Sequence, residues 1–286
     1  MRTALVLAGG GSTGNAWTIG VVAGLLDGGL DVSGADLLVG TSAGSTTAVQ
    51  LATGSVTELY AAVTTPLPDP PGGSPSPDRT AEAAAMMART AAIIEASGDP
   101  ADMRRRLGAA AIALDPDGAR SAHWRRIVER RLPSPSWPER DLRITAVDAR
   151  TGASVIFHRG SGIDLVDAVA ASCSSGPAYA IGEERYIDGG YRRNENADLA
   201  VGCSDVLVLS PFGGRTRHPL DWGTDLATQV RELRAEGVRV ETIVPPVEAQ
   251  RLFGATAMDL SLRDEAARLG HRQGTALASV LNARRA

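Results

Sequence analysis

Residues that stack on nucleobases or attract nucleic acid are scarce in this 286-residue sequence. Aromatic residues make up only 4% of the chain, and the formal net charge is -4. Neither base stacking nor electrostatic attraction to phosphates is supported, because both need residues that this sequence has little of. We therefore expect no nucleic-acid partner.

Cysteines and long apolar runs are equally rare. Cys173 and Cys203 are enough for one disulfide, but without a secretory context two reduced, buried thiols fit the sequence better. The first apolar run, residues 3–8, stops at Gly9 and is shorter than the core of a signal peptide. No window is long enough for an uncharged transmembrane helix. We expect a soluble, cytoplasmic protein without a transmembrane segment, and peripheral contact with a membrane stays open.

Histidine, the commonest catalytic base, occurs only four times, as His123, His158, His218 and His271. In a Ser-Asp-His triad whose members follow in that order, the histidine comes late, which leaves the last two. His218 lies in a polar loop before a helix. His271 lies in a helical stretch, where we expect a solvated surface residue. The sequence therefore favours a base other than histidine.

Glycine is abundant, with 32 residues, and two glycine-rich turns lie within the first fifty positions. The first turn, bounded by Gly9 and Gly14, follows an apolar strand and clusters backbone N–H groups. The second is a G-x-S-x-G pentapeptide from Gly40 to Gly44 between a buried strand and a helix. Its glycines leave room for a sharp turn that exposes the hydroxyl of Ser42. We interpret Ser42 as a nucleophile and the first turn as its oxyanion hole.

The first turn also matches the G-x-G-x-x-G pattern of a dinucleotide site. Such a site needs an acidic residue at the end of the second strand to hold the ribose. Here that strand ends at Val39 and Gly40, and Asp27 and Asp31 come before it. A P-loop is excluded because no Gly-Lys-Ser/Thr follows the glycines. A non-catalytic nucleotide-binding protein remains the alternative from another functional class.

A carboxylate at the end of a later strand is the strongest candidate for the base. Asp188 follows a short strand at residues 185–187 and precedes Gly189 and Gly190. Asp-Gly is a common turn pair, so an ordinary turn is the alternative. Residues 191–196 do not continue as a strand, however, as a hairpin would require.

The rest of the chain predicts one α/β domain over residues 1–286. The architecture is a three-layer sandwich with a mainly parallel central sheet and helices on both faces. A helical insertion is expected at about 60–135, with a proline-rich loop at 66–77. Further strands are predicted at 142–147, 154–158, 185–187, 205–209 and 238–244. Further helices are predicted at 16–26, 80–96, 102–114, 121–132, 163–172 and 220–236, with a mostly helical tail at 248–285.

Three motifs in this order resemble the patatin-like phospholipase family, which combines a glycine-rich turn, G-x-S-x-G and a late D-G-G. They are residues 9–14, 40–44 and 188–190. The resemblance extends to residues 170–177 and to the strand at 205–209. It covers roughly residues 3–60 and 140–212.

The resemblance implies a cofactor-independent, metal-free serine hydrolase that acts on lipid or other acyl esters. Ser42 would attack the ester carbonyl and Asp188 would accept the serine proton, so the pair would form a Ser-Asp dyad. The backbone N–H groups of Gly10, Gly11 and Ser12 would form the oxyanion hole. The expected function is that of a phospholipase A or carboxylic ester hydrolase. An acyltransferase with the same acyl-enzyme is the chemical alternative.

Two features predict weakened chemistry. The ordinary pKa of an aspartate is near 3.9, so burial must raise the pKa of Asp188 for it to act as a base. The family often carries Arg or Lys near the end of the glycine turn, where this chain has Thr13. We expect that the electrostatic help of such a cation is missing.

Overall fold

A computed structural model describes residues 1–65 and 77–285 of the chain. Within these ranges the strands, numbered in chain order, are β1 Thr3–Leu7, β2 Leu37–Thr41, β3 Asp141–Asp148, β4 Ser154–Phe157, β5 Tyr179–Ile181, β6 Glu184–Asp188, β7 Asp205–Leu209 and β8 Arg239–Ile243. The α-helices are α1 Gly11–Asp27, α2 Ala43–Thr53, α3 Val56–Thr64, α4 Pro77–Glu95, α5 Pro100–Ala113, α6 Ser121–Glu129, α7 Leu165–Ser172, α8 Leu226–Ala235 and α9 Arg263–Arg285.

All the strands join one sheet in the order β5-β6-β3-β2-β1-β7-β8, with β4 paired to β3. The five strands from β3 to β8 in this order run parallel, and β4, β5 and β6 form the antiparallel pairs. The short apolar runs of β1, β2 and β7 are buried on both faces, as parallel strands covered by helices require. The predicted mainly parallel α/β sheet is confirmed.

The long strand β3 brings two distant strand ends together. One edge of β3 pairs with β4, which leaves a single edge for both β2 and β6. Thr41, the last residue of β2, pairs with Thr145, and Asp188, the last residue of β6, pairs with Ala146. Because β2 is parallel and β6 antiparallel to β3, their carboxyl ends point at each other. The residue after β2 and the last residue of β6 therefore meet.

Helices cover both faces of the sheet, as the alternating side chains of β1 show. Leu5 and Leu7 belong to a core shared with α1, α2, α7 and α9. Val6 belongs to a second core with Leu226 and Leu233 of α8. Helices α4 and α5 close a third cluster over the ends of β3 and β6. The molecule thus has the helix–sheet–helix layering that the sequence predicts.

Helices α1 and α9 touch backbone to backbone through glycines that the sequence analysis did not single out. Gly20 and Gly24 of α1 face carbonyl groups of α9, and Gly270 and Gly274 of α9 face carbonyl groups of α1 in return. A Cβ on any of the four would overlap a carbonyl oxygen of the other helix. This close approach holds α9 in a fixed register on α1.

Several predicted boundaries are wrong. Helix α1 begins at Gly11, not at residue 16, because contacts with the rest of the fold outweigh the low helix propensity of its first residues. Helix α8 begins at Leu226, since Gly223 with φ 63° ends a separate turn before it. Strand β5 was not predicted, because three residues are too few to show a periodicity. In the predicted helical tail, only α9 is an α-helix, and two short 3₁₀ turns precede it.

Other expectations concern the insertion, the cysteines and membrane-spanning helices. The predicted proline-rich loop at 66–77 lies outside the described residues apart from Pro77, which begins α4. The described residues between α2 and β3 include the helices α3, α4, α5 and α6. The single domain over 1–286 and its insertion stay a prediction.

Cys173 and Cys203 are both free. Among the helices in the described ranges, none is long and apolar enough to cross a bilayer.

Candidate active site

Ser42 lies on a sharp turn between β2 and α2. Its φ of 52° and ψ of -126° are rarely adopted by residues other than glycine and store strain. The flanking glycines allow the turn, because a Cβ on Gly44 would overlap the carbonyl oxygen of Leu7 in β1. The N–H of Ser45 donates to the Ser42 carbonyl at 2.8 Å and closes the turn. The turn therefore holds the Ser42 hydroxyl at the carboxyl end of the sheet.

Asp188 meets Ser42 across the gap between the two strand ends. The Ser42 Oγ–H donates to Asp188 Oδ2 at 2.6 Å, and the Gly190 N–H donates to Oδ1 at 2.8 Å. Only 6% of the Asp188 surface is exposed. Two residues 146 positions apart in sequence thus form one hydrogen-bonded pair.

Burial gives Asp188 the character of a base at neutral pH. Removal from water raises the pKa of its carboxyl from 3.8 to about 6, although the hydrogen bonds from Ser42 and Gly190 act in the opposite direction. Such a group is still mostly ionised at neutral pH, and it accepts a proton more readily than an exposed aspartate. A pKa near the working pH suits general base catalysis.

The glycine-rich turn packs directly against Ser42. A Cβ on Gly9 would lie 3.4 Å from the Cβ of Ser42. In the described part of the chain, nothing accepts a hydrogen bond from the backbone N–H groups of Gly10, Gly11 or Ser12. They lie at the amino end of α1, where unpaired N–H groups and the helix dipole favour negative charge. The three residues that the sequence predicts as an oxyanion hole thus carry free donors beside Ser42.

One asparagine that the sequence analysis missed ties the two strand ends together. Asn196 adopts a left-handed backbone conformation with φ 54° and is fully buried. Its side-chain NH₂ donates to Thr41 Oγ1 at 2.9 Å and to the Gly189 carbonyl at 3.3 Å. Thr41 directly precedes Ser42 and Gly189 directly follows Asp188, so Asn196 braces both sides of the pair.

A second asparagine in the same loop holds the glycine-rich turn. The Gly9 N–H donates to the Asn194 carbonyl at 3.3 Å, and the Asn194 side chain donates to the Gly9 carbonyl at 3.3 Å. The next residue in the chain, Glu195, is buried, and its carboxylate accepts hydrogen bonds from Ser210 and Gln229. A sequence signal existed here, because this polar run after Asp-Gly-Gly does not resemble a strand.

The two late histidines have partners away from the pair. His218 is buried and bonds Thr224 Oγ1 through Nδ1 at 2.9 Å, and burial lowers its pKa to about 4. His271 stacks on Tyr60 with ring centroids 4.7 Å apart, and its Nε2 bonds a carboxylate at 2.8 Å. His271 keeps 26% of its side-chain surface exposed, as expected of a surface residue, but its stacking on Tyr60 was not predicted. In the ranges that the structure covers, no three His, Cys, Asp or Glu side chains group as metal ligands would.

A mostly apolar cavity of about 310 Å³ lies against the segment that follows α7, although neither Ser42 nor Asp188 lines it. Its wall includes Trp124, Pro177 and the two residues that follow α7, Cys173 and Ser174. The Asp188 N–H donates to the Ser174 carbonyl at 3.0 Å, so the cavity wall and the carboxylate are linked directly. A single backbone hydrogen bond thus connects the hydrogen-bonded pair to the wall of this apolar space.

The family model of the patatin-like phospholipases matches residues 5–201, which include all three motifs of the site. The chain belongs to the patatin-like phospholipase family. The match ends before α8, β8 and α9.

Three solved structures are similar to this chain at low sequence identity. VipD from Legionella pneumophila is 11% identical, with a TM-score of 0.45, over 98% of this chain and 67% of its own. The type III effector ExoU is 16% identical, with a TM-score of 0.39. ExoU in complex with SpcU, from Pseudomonas aeruginosa, is 18% identical, with a TM-score of 0.35. Each ExoU match covers 96% of this chain but 53% of the ExoU chain, so this chain spans about half the length of ExoU. No curated protein matches the chain.

Proposed function

We propose that this chain is a lipid acyl hydrolase of the phospholipase A or carboxylic ester hydrolase type. The observation that carries the proposal is the 2.6 Å hydrogen bond from Ser42 Oγ to the buried carboxylate of Asp188. The strained turn at Ser42 supports the nucleophile role, because strain of this kind is concentrated at functional sites. Membership of the patatin-like phospholipase family supports lipid esters as the substrate class.

In the proposed first half-reaction, Ser42 forms an ester with the acyl group of the substrate. Ser42 Oγ attacks the carbonyl carbon while Asp188 accepts the hydroxyl proton. The negative charge on the carbonyl oxygen of the tetrahedral intermediate faces the N–H groups of Gly10, Gly11 and Ser12. The intermediate collapses, the carbon–oxygen bond to the alcohol breaks, and the leaving alcohol takes the proton from Asp188.

In the second half-reaction, water releases the acyl group. Asp188 takes a proton from a water molecule, whose oxygen attacks the acyl-Ser42 carbonyl. Collapse of the second intermediate frees the carboxylic acid and returns the proton from Asp188 to Ser42 Oγ. One carboxylate acts as base and then as acid in both halves, for which a pKa near 6 is suited.

We propose the apolar cavity as the place of the acyl chain. The 310 Å³ cavity is bounded partly by Trp124 and Pro177, which suit a hydrocarbon chain. The hydrogen bond from the Asp188 N–H to the carbonyl of Ser174, a residue of the cavity wall, supports this proposal. A lipid substrate of this kind would be reached by peripheral contact with a membrane or micelle surface.

Labelling with a fluorophosphonate tests the nucleophile and the base together. We expect Ser42→Ala to lose labelling and to lose at least about a thousandfold of ester turnover, because nothing replaces the nucleophile. Asp188→Asn should lose about a hundredfold or more in turnover. The matched controls Ser136→Ala and Asp117→Asn change exposed residues and should behave like the wild type.

Two results would contradict the assignment. Labelling that survives in Ser42→Ala would move the nucleophile elsewhere. Full turnover in Asp188→Asn would require a different base. Absence of labelling, together with thermal stabilisation by NAD(P) or ATP, would instead favour a nucleotide-binding protein.

A further inference from the structure

Arg263, the first residue of α9, donates hydrogen bonds to the glycine-rich turn. Arg263 Nη1 donates to Ser12 Oγ at 3.0 Å and to the Ser12 carbonyl at 3.4 Å. Its Nη2 donates to Asn15 Oδ1 at 3.3 Å. One nitrogen of the planar guanidinium therefore holds both the side chain and the backbone carbonyl of Ser12, and the other nitrogen holds Asn15 one turn further along α1. The N–H of Ser12 is one of the free donors at the amino end of α1.

The charge of this guanidinium is not neutralised locally. All three of its acceptors are uncharged, and within the described residues no carboxylate lies at ion-pair distance from it. The turn itself, residues 9–15, contains no charged side chain. Burial and the nearby charge of Arg131 lower the pKa of Arg263, but an arginine stays protonated at any physiological pH. A permanent positive charge thus lies at the amino end of α1.

An unpaired, partly buried charge is an expensive feature for a fold to carry, because desolvation disfavours it. Its position is nevertheless well defined. The glycine contacts between α1 and α9 hold Arg263 in register with Ser12. Thr13, which follows Ser12, carries no charge, and its buried hydroxyl donates to the Leu252 carbonyl at 2.7 Å. The charge is therefore held against Ser12 and Asn15 in the first turns of α1.

We propose that Arg263 is a positioning residue of the oxyanion hole. It orients Ser12 through two hydrogen bonds and adds a fixed positive charge next to the free N–H groups of Gly10, Gly11 and Ser12. The inference rests on the proposed function, because an oxyanion hole has meaning only if Ser42 is acylated. It assigns a role in the reaction to α9, which lies outside the residues that the family model matches.

Steady-state kinetics on p-nitrophenyl butyrate, an uncharged ester, tests this role in the full chain. We expect Arg263→Gln to lower kcat about tenfold to hundredfold with little change in KM, since oxyanion stabilisation acts on the transition state. Arg263→Lys keeps the charge but not the planar fork, so it should retain a larger share of kcat. The thermal midpoint of Arg263→Gln should not fall below that of the wild type, because the substitution removes an unpaired, partly buried charge and leaves no carboxylate without its partner.

Arg272→Gln is the matched control, since Arg272 is an exposed residue of the same helix and its loss changes the net charge equally. It should match the wild type in kcat and KM. An unchanged kcat in Arg263→Gln would overturn the inference. So would an unfolded Arg263→Gln protein, which would make the role structural. A rise in KM for an anionic phospholipid, with kcat on the neutral ester unchanged, would also overturn it and point to headgroup binding.

Ser42→Ala measured in the same series separates the two proposals. If the wild type turns over the ester and Ser42→Ala does not, then an unchanged kcat in Arg263→Gln disproves the role of Arg263 and leaves the proposed function standing. If turnover in the wild type does not depend on Ser42, the proposed function fails and the inference fails with it.

Discussion

At the scale of single residues, the site depends on what burial does to one carboxylate. An exposed aspartate is a poor base for a serine hydroxyl, because its proton is lost near pH 4. Asp188 is removed from water at the end of β6 and accepts hydrogen bonds from only two groups of the described chain, Ser42 and Gly190. Burial raises the pKa of Asp188 further than those two bonds lower it.

This balance predicts the pH dependence of turnover. The base must be ionised in the free enzyme, so kcat/KM should fall about tenfold per pH unit below an inflection near pH 6. A pH series with a neutral aryl ester measures the inflection, and fluorophosphonate labelling rates should follow the same curve. An enzyme that keeps full activity down to about pH 4.5 would show that the pKa of the base is not raised, since an aspartate with its ordinary pKa of 3.8 is still mostly ionised there.

At the scale of the elements, the glycines between α1 and α9 set the position of the glycine-rich turn. Helix α1 presents its amino end to the site and is buried along almost all of its length. Helix α9 carries Arg263 at its own amino end. Because the two helices touch through backbone atoms, a shift of either one would move Ser12 relative to Ser42.

A single methyl group should test this packing. Alanine normally favours a helix over glycine by about 1 kcal/mol. We nevertheless expect Gly20→Ala to destabilise the protein by about 2 to 3 kcal/mol, because its Cβ would overlap the carbonyl oxygen of Ala267. Urea denaturation measures the change. Gly98→Ala is the control, since nothing lies within 4 Å of the Cβ it would add. Equal stability of Gly20→Ala and the wild type would disprove the packing argument.

At the scale of the whole molecule, the ionised carboxylate of Asp188 lowers the stability of the fold that buries it. Folding raises the pKa of Asp188, so the folded state binds this proton more tightly than the unfolded state does. The stability from this group is fully present below the unfolded pKa of 3.8 and is lost as the pH rises through about 6. At pH 8 the carboxylate therefore opposes folding by roughly 3 kcal/mol, an order-of-magnitude figure.

Asp188→Asn should consequently be more stable than the wild type under alkaline conditions. The neutral amide removes the titration, so we expect its stability advantage at pH 8 to shrink by about 1 kcal/mol at pH 5. Urea unfolding of both proteins at the two pH values gives the difference. Asp117→Asn, an exposed change, should show no such pH dependence. A pH-independent difference for Asp188→Asn would mean that the carboxyl titrates normally.

The sequence alone determined the fold class and the candidate motifs. The apolar runs that became β1, β2 and β7 are continuous because both faces of a parallel strand are covered, and this pattern is visible without coordinates. Ser42 and Asp188 were likewise predicted from strand ends followed by glycine, since sharp turns require glycine at defined positions. These features depend on neighbouring residues in the chain, so the sequence alone is enough to predict them.

Only the tertiary structure decided how those pieces meet. The sequence does not reveal that β2 and β6 share one edge of β3, which is what brings Ser42 to Asp188. It could not show that Asn196 braces both strand ends, or that Arg263 reaches Ser12 from 251 residues away. Such contacts depend on strand register and helix packing, which arise from side chains distant in the chain. Short sequence motifs identify the candidate residues Ser42 and Asp188. Long-range packing sets the distance between them and the burial that raises the pKa of Asp188.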